Sequence, residues 1–463
     1  GENKLIDKMN NNISIAQQYY KVQKYWEQAI SNKNWKLAIW VAQYPDVEII
    51  SQFMDMESTV LGETEEIGFK FHSVFTETEE YEKSLWNEFS DWFNLNNDEK
   101  YDMHKALIKD GFLKEPFVPN TNLKPTIQNL INEFERFTKS LIDVSANYII
   151  EFALGMHHEG YNFWLDKLLK CNIPKNIRFV TIDLAQERKY NKFSKKTYSK
   201  VYEIHPKLEM VDAIKNEMSK DTKGKTPHAP DSLYKLAILE LMEALPNEKK
   251  MKKLINKLLS EAHKLQDISV LASSYLIIAH AYNSIKKPKE GLKQIELALQ
   301  ETEKLKQSKE WYPLWRSCML FKAAFLIGLK KEKEAFEIYE EIAQQATTER
   351  DYFYIMESYR VCASIRMKEQ KYSEAFEYAS LALYGGSFLD ITTRQNSTFL
   401  YAANLAFNTV DYVKDEKEKR IILCEHLKKW LGSNWVELIS IEENLNSHYA
   451  PLAKEEEIIE DQL

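Results

Sequence analysis

A pattern of small and aromatic residues at helical spacing runs three times between residues 275 and 382, and it restricts this half of the chain to stacked antiparallel helix pairs. The second helix of each unit reads Gly291, Ile295, Ala298, then Ala335, Tyr339, Ile342, then Ala375, Ala379, Ala382. Positions i, i+4 and i+7 share one helix face. Twelve residues before each first member stands an alanine of the partner helix, Ala279, Ala323 and Ala363, and four before that a bulky side chain, Tyr275, Met319 and Tyr359. Small residues let two helix axes approach, and the bulky ones fill the grooves between turns. One such pair cannot bury its apolar face alone, so pairs stack. An ordinary bundle also wants small residues at contacts; three successive units agreeing in internal register favour the repeat.

The best unit, Tyr275, Ile278, Ala279, Tyr282, Gly291, Ile295 and Ala298, resembles the tetratricopeptide repeat family, whose pattern is a Trp-x-x-Leu-Gly-x-x-Tyr helix followed by Ala-x-x-x-Phe-x-x-Ala. This chain departs from that pattern: alanine replaces its glycine throughout, the closing proline is missing, and the units are spaced 44 and 40 residues apart. The family spacing is about 34, so longer helices or links are expected. The resemblance implies a superhelical array whose concave surface takes a peptide or helix of another protein. Apolar stretches at 233–245 with 251–265, and at 397–408 with 420–431, extend the array to about five pairs over 231–435.

The N-terminal half has a different period. After an amphipathic helix expected over 1–30, short apolar runs at 36–43, 67–71, 146–153 and 177–182 alternate with helical stretches at 47–56, 79–93, 126–144 and 161–170. Strands alternating with helices make βαβ units, so a mixed fold is predicted: an α/β domain with a mostly parallel sheet over 31–219, then the all-α array. A helix over 208–219 precedes the polar stretch 220–230, which reads as the interdomain linker, and 436–463 reads as a C-terminal segment with an acidic tail. With 12 Gly and 12 Pro in 463 residues, turns are too scarce for a sandwich or barrel.

This order of elements is similar, weakly, to a P-loop nucleotide-binding domain with a helical-repeat tail, as in signal-transducing ATPases. Such a domain needs glycines and a lysine after the first strand to cradle phosphate, and Gln43, Tyr44, Pro45 and Asp46 stand there instead. Gly224, Lys225 and Thr226 carry the right ending, but Ser219 replaces the first glycine and a helix precedes them, so a basic linker is the simpler reading. Glu151 and Asp183 occupy positions where a magnesium-binding carboxylate could sit; without a phosphate loop they are more simply strand-end polar residues. The resemblance therefore implies a degenerate site and a docking platform.

His157, His158 and Glu159 follow the third strand run, where ligands of a parallel sheet gather. Adjacent histidines diverge, so a solvated loop is favoured over a metal-dependent hydrolase. No metal and no cofactor are expected. The net charge of -8 and pI near 5.8 give no broad basic face for nucleic acid. No apolar run is long enough to span a membrane. Cys171, Cys318, Cys362 and Cys424 are far apart, consistent with a reducing, cytoplasmic location. Trp311, Tyr312, Trp315, Tyr352 and Tyr354 at the starts of first helices, and Tyr384 at the end of a second, are the candidate partner-binding residues; filling joints between repeats is the competing role. The function expected is a non-catalytic adaptor, scaffold or chaperone for another protein, ahead of a nucleotide-dependent signalling or defence regulator.

Overall fold

In the computed structural model, which describes residues 13–94, 102–142, 148–151, 160–194, 198–221 and 230–440, the first apolar run forms strand β1 (Leu37–Ala42), buried at all six positions. A strand with no polar face must be covered on both sides. β1 meets that need inside a sheet with β2 (Ile67–Lys70), β3 (Tyr148–Glu151), β4 (Ile177–Leu184) and β5 (Val201–Ile204), in the order β2-β3-β4-β1-β5. Every pairing is parallel; Leu37 lies opposite both Phe179 and Val201. An apolar-run criterion does not find β5. Its Val201, Tyr202 and Glu203 are only half-buried, because an edge strand keeps one side toward solvent and has no need of a continuous apolar run.

Alternate residues sort the core into two layers. Leu37, Ile39, Val41 and Phe179 face one side, against Tyr81 and Phe89 of helix α3 (Thr78–Trp92), Phe134 and Phe137 of α5 (Ile127–Ser140) and Trp164 of α6 (Gly160–Leu169). Ala38, Trp40, Val180 and Ile182 face the other, against Val22 and Trp26 of α1 (Ile15–Ser31) and Ile50 and Phe53 of α2 (Val47–Glu57). Edge-on contacts of Phe134 with Phe69 and Phe89, at centroid separations of 4.8 and 4.6 Å, close the first layer. Each such buried ring contributes roughly 1.5–3 kcal/mol. Ser14 starts α1 with a capping box, accepting from the Gln17 N–H while Gln17 reaches back to the Ser14 N–H. A short α4 (Met103–Lys109) and α7 (Met210–Asp221) complete the described helices of this part.

Two compact units result, Gly1–His228 and Ala229–Leu463. The expected linker falls mostly on residues 222–229, outside the described ones, between α7 and α8 (Pro230–Ala244). From Pro230 the described residues are helices and their connections only. α8 pairs with α9 (Glu248–Lys264), α10 (Ile268–Ser284) with α11 (Pro288–Glu303), α12 (Trp311–Gly328) with α13 (Glu332–Glu349), and α14 (Tyr352–Lys368) with α15 (Tyr372–Gly386). A short α16 (Ile391–Gln395) leads to α17 (Phe399–Thr409), α18 (Glu416–Leu431) and α19 (Trp435–Ser440).

The three central units repeat in backbone as well as sequence. Lys286, Lys330 and Gln370 take left-handed φ values of 61°, 58° and 60°. The next N–H bonds a carbonyl one turn back in each case: Lys287 to Tyr282, Lys331 to Leu326, Lys371 to Arg366. These turns lie 44 and 40 residues apart, the spacing of Ala279, Ala323 and Ala363. A non-glycine residue in this region costs roughly 1–2 kcal/mol, a cost offset by the helix pairing that the turn permits. Helices of 15 to 18 residues, with a longer link at 304–310, account for the spacing.

Ala279, Ala298, Ala323, Ala335, Ala363, Ala375 and Ala382 have no exposed surface. Tyr339 is buried, while Tyr275, Tyr282 and Tyr359 are half-buried at the flanks of their clusters. Gly291 is small for a specific reason: a Cβ there would stand 2.2 Å from Cε1 of Phe325, on α12 of the next unit. The repeat glycine therefore seats a ring of its neighbour.

Candidate functional site

The carboxyl ends of the parallel strands are where an α/β sheet binds ligands. β1 lies between β4 and β5, and its connection leaves toward β2 while that of β4 leaves toward β5, which makes a switch point beside β1. The connection there is tight. Gln43 passes directly into a 3-10 turn (Tyr44–Asp46) and then α2, with Pro45 and Asp46 buried. The Gln186 side chain closes over it, accepting from the Tyr44 N–H at 3.2 Å and donating to Gln43 Oε1 at 2.7 Å. No glycine cradle is formed.

Asp183 is occupied by its own loop. It accepts from the backbone N–H groups of Leu184, Lys189 and Tyr190, each at 3.0 Å, and from Arg188 Nε at 2.8 Å. Arg188 also reaches Glu203 on β5, so this carboxylate fastens the β4–β5 connection. Gly224, Lys225, Thr226, His157, His158 and Glu159 lie outside the described residues. Among the described residues, no three His, Cys, Asp or Glu side chains are placed to hold a metal ion.

Glu151 is different. It is 3 % exposed at the end of β3, and burial pushes its carboxyl up to about 8 against the pull of Lys70 at 3.9 Å. Lys70 itself is held by Ser51 and Asp55 of α2. Glu151, Glu66 and Glu57 line one cavity with Trp26, Met54 and Ile149, of about 280 Å³ including its mouth. Glu57 is used structurally, accepting from Glu63, Thr64 N–H and the Thr64 hydroxyl, which folds the α2–β2 connection. Burial also raises the Glu66 carboxyl, whose nearest cation is Arg178 at 3.9 Å. Arg178 in turn bonds the carbonyl of Asn32 at 3.0 Å and stacks on Trp35, capping the end of α1. This constellation holds α1 and α2 onto the sheet and brings no nucleophile to a base. The sequence signal for it was the charged residues inside or beside apolar runs, Glu151 and Arg178.

Burial acts in the same way on two of the cysteine thiols. Cys318 and Cys362 are buried in helix contacts, and burial raises both thiols, that of Cys318 to about 11.

The six aromatic candidates separate by burial. Trp311 and Trp315 stack at 5.4 Å and are each 9 % exposed, so they offer little area to a partner. Tyr354 is buried beneath the Arg316 guanidinium. Tyr312 donates to Asp351 at 2.5 Å, joining α12 to the start of α14, and burial, with that acceptor second, raises its phenol. These four fill joints. Tyr352 is half-buried and stacks at 4.6 Å on Phe388. Tyr384 is 64 % exposed, and its ring meets Phe388 edge-on at 5.3 Å.

Phe388, Leu381 and Ile391 are exposed beside it, so the end of α15 and the start of α16 carry an uncovered apolar patch. Sequence reasoning passed over these three because a Leu or Phe near an Ala-rich helix reads as core. The helix phase does contain the information: residues 377, 381 and 384 share the face opposite Ala375, Ala379 and Ala382. No helix of the described residues is long and apolar enough to cross a membrane.

No family model matches this chain, and no curated protein matches it.

Proposed function

We propose that the chain is a non-catalytic interaction protein, a scaffold or adaptor whose helical unit binds a segment of another protein. The observation that carries this is the patch of Leu381, Tyr384, Phe388 and Ile391, between 38 and 64 % exposed, at the end of α15, whose opposite face of Ala375, Ala379 and Ala382 is fully packed. Large apolar side chains gathered on a polar surface mark interaction sites, and tyrosine anchors bind at small entropic cost. The tetratricopeptide-like register supports the same reading, since stacked pairs hold such a patch rigid. A reducing, cytoplasmic setting suits the buried reduced thiols. The test is quantitative affinity purification with the full chain, its Tyr384→Ala/Phe388→Ala variant and a control variant elsewhere on the surface. Proteins recovered with the full chain and control, and depleted at least several-fold with the patch variant, are expected; recovery indifferent to the patch overturns the reading.

A second reading, a regulator with a degenerate nucleotide site, draws on the switch point beside β1. Saturable ATP binding that is lost when Gln43 or Gln186 is changed would establish it over the first.

A further inference from the structure

The apolar patch has a predominantly acidic margin. On α13, Glu334, Glu337 and Glu341 follow helical spacing on the exposed face and make no ion pair among the described residues. Glu377 on α15 is likewise exposed and without an ion pair among the described residues, one turn before Leu381. The two helices are neighbours: Tyr378 of α15 donates to Glu340 of α13 at 3.2 Å, and its ring meets Phe336 edge-on at 5.3 Å. Glu337 and Glu341 follow the contact residues Phe336 and Glu340 by one position, and Glu377 precedes Tyr378 by one, so the carboxylates border a single surface. By contrast, all four glutamates of the preceding second helix, α11, are paired: Glu290 with Lys293, Glu296 with Lys322, Glu301 with Lys304, Glu303 with Lys306. Lys333 is the basic residue exposed within the α13 strip.

Building on the docking reading above, we infer that this surface takes a basic amphipathic segment of a partner protein. Its apolar side chains would cover Leu381, Tyr384, Phe388 and Ile391, and its Lys or Arg residues would face Glu334, Glu337, Glu341 and Glu377. Unpaired like charges on adjacent helices repel one another, and a cationic partner removes that repulsion while speeding encounter. The surface is formed by second helices of the repeat and the segment after them, so the docking face differs from the first-helix residues that the sequence pattern offered.

The experiment is selection of a phage-displayed random 16-residue peptide library on the full chain, with counter-selection on Tyr384→Ala/Phe388→Ala. Circular dichroism verifies that both variants used are folded. Enriched peptides are expected to combine an aromatic or aliphatic cluster with a net positive charge. Synthesised singly, they should weaken about tenfold on Glu337→Gln/Glu341→Gln/Glu377→Gln, the size expected for three exposed charge pairs, and added salt should weaken their binding to the full chain more than to this variant. Peptides that need the patch but are neutral or acidic overturn the basic partner and leave the docking reading intact. Failure to enrich any peptide that distinguishes the full chain from the patch variant overturns both.

Discussion

Gly291 is the position where the repeat can be tested atom by atom. Replacing it with alanine in a helix interior should by propensity stabilise by about 1 kcal/mol. Here the added Cβ would lie 2.2 Å from Cε1 and 2.8 Å from Cζ of Phe325, and 3.2 Å from the Ala279 carbonyl oxygen. Carbon atoms rest about 3.5–4.0 Å apart, so the ring must shift by roughly 1–2 Å. Phe325 is 5 % exposed and packed against Ala279 and Ile295, so it has nowhere to go without disturbing them. Overpacking of this kind costs about 1–3 kcal/mol, which leaves Gly291→Ala neutral to about 2 kcal/mol destabilising. In a Phe325→Leu background the obstructing ring atoms are gone and the propensity gain should reappear. The double-mutant cycle should therefore give a coupling of about 1–3 kcal/mol. Scanning calorimetry of the full chain reads it, at roughly 2–4 °C per kcal/mol, with hydrogen exchange of peptides from α11 and α12 assigning the transition to the helical unit. If Gly291→Ala stabilises equally in both backgrounds, the ring does not seat on residue 291 and the packing of successive units described above is wrong.

Gly385→Ala should be destabilising by about 1–3 kcal/mol, because the new Cβ meets Cβ and Cγ2 of Ile355 at 2.9 and 2.5 Å and these cannot rotate away; an unchanged melting temperature refutes it. Glu357 and Arg360 form a buried two-pronged pair at 3.1 Å, with the Thr398 hydroxyl also donating to Glu357. Glu357→Leu should cost about 3–5 kcal/mol in urea denaturation, and adding Arg360→Met should restore much of it, because a buried guanidinium deprived of its carboxylate is what burial penalises. For Glu151, a folded-state carboxyl near 8 lies above the unfolded value, so its stabilising contribution is complete below about 4.5 and is lost as pH rises toward 8. Glu151→Gln should accordingly gain stability over the parent between pH 5 and pH 8 by an amount on the order of 2–4 kcal/mol; parallel pH profiles for the two proteins would contradict the assignment.

Much of the architecture follows from the sequence by itself. The small-residue register at Ala279, Ala323 and Ala363 defines the helix pairs, because helices can approach closely only where side chains are absent, and that requirement is written in residue type and spacing. The buried strand at Leu37–Ala42 is equally legible, since a run with no polar position has one environment available to it. Two elements were not legible: β5 is half-buried and carries no apolar run, and α4 has too few residues for a period to emerge, so pairing with β1 and packing against the core decide them.

Exposure of the aromatic residues was a tertiary decision. Trp311, Trp315, Tyr354 and Tyr384 look alike along the chain, yet the first three are closed over by neighbours brought in by helix stacking, while Tyr384 is left open with Phe388. Helical phase fixes which face of a helix a side chain lies on, whereas burial depends on what other helices bring to that face. The same holds for Glu151 and Asp183, two carboxylates at strand ends. Asp183 is satisfied by backbone donors its own loop supplies, and Glu151 is driven toward its neutral form by the layer of α1 and α2 above it.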